Sequence, residues 1–134
     1  SFGVYYAAKD QETAIAESRF HRERFMKRTK EGPMWLEMRL LTADLSGSLH
    51  DIRGMEKKLP GVYSATSYGA GQELGVRLRR EGSSGIVYDS VRRRGGECVA
   101  ALRAPALSSC HARGGLIYQW DGVRISRVYD LHEH

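Results

Sequence analysis

The chain has 134 residues, 41% of them hydrophobic and 28% charged, a size and balance that give one globular domain with a core of its own and exclude a disordered or fibrous chain. The formal charge of +5 and a pI near 9.4 favour an anionic partner, whether nucleic acid, nucleotide or acidic protein, and do not choose among them. No apolar run reaches the roughly 20 residues of a bilayer span and no signal-peptide pattern opens the chain, so the expected location is the cytoplasm.

Residues 2–8 are apolar and aromatic and predict a short buried strand, ending at Lys9 and Asp10. Asp10, or Thr13, can cap a helix over residues 11–30, a stretch of good helix formers without Gly or Pro that Glu31, Gly32 and Pro33 bring to a stop. Residues 34–43 alternate as a strand, with Trp35, Glu37 and Arg39 on one face and Leu36, Met38 and Leu40 on the other. Residues 44–61 read as loop around a short helix at 52–58, and 68–80 as a second helix weakened by Gly69, Gly71 and Gly75. Strands are expected at 85–88, 97–102, 116–120 and 123–129, the last two joined through Asp121 and Gly122 in a hairpin. The order predicts a mixed α/β (α+β) domain with mainly antiparallel pairing over residues 1–134, not a doubly wound fold.

Two constellations could carry chemistry. Glu17, His21, Arg24 and Arg28 follow one another by four, three and four residues, one narrow polar stripe on the first helix. Such a stripe is an ordinary solvated face, or, beside a pocket, an acid, a base or a clamp; the flanking Ala14, Phe20 and Phe25 keep the second reading open. In the segment GIVYDSVRRRGGE, residues 85–97, an apolar strand hands over to Ser90, Arg92, Arg93, Arg94 and two glycines. These arginines could grip a phosphate through guanidinium forks and backbone N–H groups, or simply confer solubility on an exposed turn. Neither a Walker loop nor GxGxxG is present, and Ser90 lacks the GxSxG setting of a hydrolase nucleophile. Arg77, Arg79 and Arg80 add basic charge, but acidic residues are interspersed, so direct nucleic-acid binding is not expected. Cys98 and Cys110 show no metal or disulfide pattern, and His50, His111, His132 and His134 fall in loops or the tail. No metal is expected.

The segments FGVYYAA, TAIAESRFH, GIVYDSVRRRGGECVA and YQWDGVRISRVYDL together resemble the RES-domain toxins, a family of bacterial toxin-antitoxin systems named for an arginine, a glutamate and a serine. The family's tyrosine, glutamate, histidine four residues later, and serine correspond here to Tyr6, Glu17, His21 and Ser90. The family's arginine precedes the strand with the tyrosine, whereas only five residues precede Tyr6 here and none is arginine; the expectation is a chain lacking its natural N-terminal segment, with its catalysis in question on that account. The resemblance implies a fold similar to the ADP-ribosyltransferases, with NAD held as substrate in a cleft between two small sheets. It also implies an Xre-like antitoxin that covers the cleft, and transfer of ADP-ribose to phosphate, water or a protein target.

On that reading Glu17 stabilises the positive charge that develops on the ribose as nicotinamide leaves. Tyr6 stacks on the nicotinamide, Ser90 bonds the nicotinamide or ribose edge, His21 orients Glu17 or reaches a phosphate, and Arg92 meets the pyrophosphate. The rival readings are a non-enzymatic basic module that binds an acidic partner, and a toxin directed at nucleic acid.

Overall fold

The computed structural model describes residues 5–60 and 69–131, with the backbone alone at 69–72 and 104. Strand β1 (Tyr5–Ala8) leads into helix α1 (Gln11–Thr29), followed by β2 (Met34–Leu45), β3 (Leu49–Asp51), helix α2 (Gly69–Arg80), β4 (Gly85–Asp89), β5 (Glu97–Ala101), a 3-10 turn at Ala104–Ala106, β6 (Leu107–Trp120) and β7 (Ile125–Leu131). The strands form two sheets, one in the order β1-β5-β4-β3 and one in the order β2-β6-β7. All pairings are antiparallel except β3 with β4, whose connection runs through α2 as a parallel pair requires. The result is the expected mixed α+β architecture.

Helix α1 starts where local chemistry starts it. The Asp10 carboxylate accepts the Thr13 N–H at 2.7 Å and supplies the N-cap; that bond holds its carboxyl below the usual carboxylate range. The helix ends at Lys30, which takes a left-handed conformation with φ 55° ahead of Gly32 and Pro33.

Each sheet has its own core. Met26 of α1 packs with Leu116, Tyr118, Trp120 and Ile125, joined by the half-buried Ile15, Leu36 and Met38. Leu74 and Leu78 of α2 pack with Ile52, Ile86 and Leu102. Burial of side chains this size contributes roughly 1.5–3 kcal/mol each. Polar groups secure the first contact as well: Arg19 Nη2 donates to the Ile125 carbonyl at 2.5 Å, Glu23 Oε1 accepts the Ile125 N–H at 2.9 Å, and Trp120 Nε1 donates to the Glu31 carbonyl at 2.9 Å.

The other end of α1 belongs to the first sheet. Thr13 has no solvent exposure and lies against Gly96, at the end of the β4–β5 connection. A Cβ at Gly96 would stand 2.5 Å from Thr13 Oγ1 and 2.7 Å from its Cγ2. Only a glycine leaves room for the helix there. α1 therefore spans both sheets, its first turn against the β4–β5 loop and its last turns against β6 and β7.

Several expectations change. β1 is a sheet edge whose tyrosines are exposed, not a buried strand; residues 2–4 lie outside the described residues, as does Tyr68 at the expected start of α2. The region read as loop contains β3, a strand too short to show a period, and residues 52–58 form turns rather than a helix. β6 starts nine residues before the expected 116, since Leu107–Arg113 extend along β2 through two register shifts. Leu36 and Met38 do face the core side. Residues 121–124 close the β6–β7 hairpin, with the Asp121 N–H donating to the Arg124 carbonyl and Gly122 at φ 99°, so Asp121 and Gly122 lie within a loop longer than two residues.

Gly96→Ala should lower stability by about 1–3 kcal/mol through overpacking against Thr13, read as a fall in the urea midpoint. Gly32→Ala, with nothing within 4 Å of the added Cβ, should leave the midpoint nearly unchanged.

Candidate active site

The strands of the first sheet bring three of their ends to one margin. β1 ends at Ala8, β4 at Asp89, and β5 begins at Glu97, with Ala8 opposite Cys98 and Asp89 opposite Glu97. Ionic and backbone contacts tie this margin together. Arg53 bonds Asp51 at 2.6 Å and Glu97 at 3.0 Å, Lys9 Nζ lies 3.5 Å from Glu97, and the Gly54 N–H donates to Asp89 Oδ2 at 2.6 Å. Hydrogen bonds from Arg53 pull the Asp51 carboxyl down to about 2.

Residues 90–96 form a closed loop on this margin. The Ser90 N–H donates to the Gly96 carbonyl at 2.9 Å, and the Gly96 N–H to the Arg93 carbonyl at 3.0 Å. Inside the loop the Ser90 hydroxyl accepts the N–H groups of Arg92 and Arg93, both at 3.1 Å, and donates to Glu17 Oε1 at 3.3 Å. A hydroxyl has one proton to give and two lone pairs to fill. Ser90 has used all three, so its proton is directed at Glu17. The Ser90 hydroxyl thereby fixes the direction of the Glu17 carboxylate.

Glu17 is half-buried, and Oε2 takes no hydrogen bond from the described residues. Beneath the pair sits Cys98, 4% exposed. Burial first, then the Glu17 charge, pushes its thiol up to about 12, with the Ser90 hydroxyl pulling weakly the other way.

Beside Glu17 the helix presents Phe20 and His21. The Arg92 guanidinium carbon lies 3.3 Å above the centroid of the Phe20 ring, a cation–π contact, and His21 meets the same ring edge-on with centroids 5.5 Å apart. The outer side of His21 is exposed. Loss of solvation on its inner side lowers its pKa; Glu17 opposes that shift, while Arg92 and Arg24 add to it. The imidazole is thus biased toward its neutral form, able to accept a proton.

Of the residues singled out in the sequence, Glu17, His21, Ser90 and Arg92 meet at the joint between α1 and the β4–β5 loop. Tyr6 stands one strand away. Its partner in the register is Ala100, on the face of the sheet that also carries Cys98, and it is 69% exposed. The arginine run divides: Arg92 covers Phe20, Arg93 turns to the first turn of α1, and Arg94 is exposed. The sequence offered Thr13 only as a possible cap, Phe20 only as a flank of the polar stripe and Gly96 only as part of a possible phosphate grip, and gave Cys98 no part in the site; Gly96 instead makes room for Thr13. His132 and His134 lie outside the described residues. Among the described residues no three His, Cys, Asp or Glu side chains gather as metal ligands would, and no helix is long and apolar enough to cross a membrane.

The RES domain family model matches residues 1–121 of the chain. The chain is also 36% identical over 122 residues to the uncharacterized protein y4oC of Sinorhizobium fredii (strain NBRC 101917 / NGR234). The match covers 91% of this chain and 50% of the relative, so the chain spans about half the length of the curated relative it matches.

Two measurements test the electrostatics of the site. His21 should titrate below its ordinary 6.5 in an NMR experiment, lower still in Glu17→Gln, and higher in Arg92→Gln. The folded chain then binds this proton less readily than the unfolded one, so His21 removes stability as pH falls through and below 6.5. A thiol reagent at pH 8 should label the exposed Cys110 promptly and the buried Cys98 only after denaturation.

Proposed function

The chain belongs to the RES domain family, and from that premise we propose that it is the toxin of a toxin-antitoxin pair, consuming NAD by cleaving the bond between nicotinamide and ribose. The observation that carries this reading is the bond between Ser90 Oγ and Glu17 Oε1 at 3.3 Å, made by residues 73 apart in sequence. A solvated helix glutamate gains nothing from such a partner. A carboxylate that must face developing positive charge gains a fixed direction, and fixed electrostatics require no reorganisation as the bond breaks.

In this scheme Glu17 Oε1 is held by Ser90, and Oε2 stabilises the oxocarbenium-like ribose or bonds one of its hydroxyls. Ser90 acts through Glu17. The exposed ring of Tyr6, on the sheet face next to Cys98, supplies a surface for the nicotinamide. Arg92, stacked on Phe20, is the candidate for the pyrophosphate. His21, biased to the neutral form, takes a proton from an acceptor such as water or phosphate. The cleavage itself balances simply: the C–N bond to nicotinamide breaks with its electron pair on the nicotinamide nitrogen, and the acceptor oxygen bonds to the ribose carbon as it loses its proton. The expected partner is an Xre-like antitoxin covering these residues. Phosphate, water and a protein side chain all fit as acceptors.

The full chain incubated with NAD should release nicotinamide. Glu17→Ala should cut kcat by about 10²- to 10³-fold, the range for loss of one preorganised electrostatic partner. Ser90→Ala should cut it less, by about 10- to 100-fold, because the carboxylate stays but loses its direction. Absence of release from the wild type, or equal release from Glu17→Ala, would overturn the reading.

A further inference from the structure

We infer that Arg93 is a positioning residue of this site, a latch that fastens the β4–β5 loop to the first turn of α1 and so holds Ser90 against Glu17. The inference rests on the proposed role of Glu17 for its catalytic consequence, and on geometry alone for its structural one. Arg93 lies between the two halves of the site. Its backbone N–H bonds the Ser90 hydroxyl at 3.1 Å. Its side chain leaves the loop and reaches α1: Nη2 pairs with Glu12, Nη1 stands 3.9 Å from the Asp10 carboxylate and 3.5 Å from the Thr13 hydroxyl. The same three residues start the helix, since Asp10 caps Thr13 and Thr13 fills the space beside Gly96.

Arg93 is therefore the one side chain of the loop's arginine run that grips the helix N-terminus, and it does so one turn before Glu17. Its planar fork meets two carboxylates and a hydroxyl together, a demand that an ammonium group meets less well. With its guanidinium spent on α1, Arg93 is not a phosphate ligand in this arrangement, in contrast to the role that a run of three arginines suggests. The helix N-terminus favours the acidic side chains that Arg93 grips, and these two carboxylates are what offset its charge there.

If the latch opens, Ser90 and the loop move away from Glu17, and Cys98 beneath them becomes accessible. In a Cys110→Ser background, Arg93→Ala should raise the rate of Cys98 modification by about fivefold or more under native conditions, since exposed pairs are individually weak and a network is stronger. The rate should depend little on urea below the unfolding transition, as a local opening does. Arg93→Lys should fall between Arg93→Ala and wild type. Glu12→Gln, which removes one exposed partner and no packing, should move the rate the same way by a smaller factor, and it decides the matter if Arg93→Ala does not fold. On NAD, Arg93→Ala should lower kcat with KM nearly unchanged.

Unchanged labelling in these variants, or acceleration with the steep urea dependence of global unfolding, overturns the latch. So does a raised KM at unchanged kcat, which would mean that the guanidinium touches substrate. If the wild type releases no nicotinamide, the labelling series still decides the latch while the NAD reading falls.

Discussion

The contact on which the site depends is the one between Thr13 and Gly96. A fully buried threonine in the first turn of α1 occupies the space that any side chain at position 96 would fill. That contact fixes how far the helix stands from the β4–β5 loop. The candidate site is measured from it, since Glu17 follows one turn later on the same face and Ser90 opens the loop that Gly96 closes. The far end of the helix is fixed independently, by Met26 in the second core and by Arg19 and Glu23 on the backbone of Ile125. A rod held at both ends by different sheets cannot roll, and a functional side chain at its middle inherits that rigidity.

The electrostatic character of the site follows from how Ser90 is satisfied. Two backbone N–H groups approach its oxygen, which leaves the hydroxyl proton for Glu17. The carboxylate is thereby oriented without meeting a full positive charge at that oxygen. Arg92, the nearby cation, is stacked on the Phe20 ring. The same neighbourhood explains why Cys98, a nucleophile by type, is inert by placement: burial beside a carboxylate holds it as the thiol.

How much of this was legible depended on whether the signal was local. The Asp10 cap, the span of α1 and the faces of β2 follow from neighbours in sequence, and they appear where the residues place them. β3 was not legible, because three residues carry no period and its pairing with β4 is set by α2 lying between them. The exposure of Tyr5 and Tyr6 was misread for a related reason: aromatic content speaks for a strand, while edge or centre is a matter of topology. For the site, helical spacing aligned Glu17 with His21 and could not say what faced them. Ser90 is 73 residues away, and only the resemblance to a family joined the two.

The run Arg92, Arg93, Arg94 shows why composition misleads here. Three adjacent arginines read as one object, a basic turn for a phosphate or for water. In the fold they point three ways, because the loop that holds them turns on Ser90. Arg92 goes down onto Phe20, Arg93 across to the helix N-terminus, and Arg94 out to solvent. A segment of seven residues between two strands, residues 90–96, thus combines a bend, an aromatic cover and an ionic tie. The net positive charge of the chain does not transfer to this loop as a free anion-binding surface, since its central cation is offset by Glu12 and Asp10. An anion approaching this loop would meet Arg94, which is exposed, before it met Arg93.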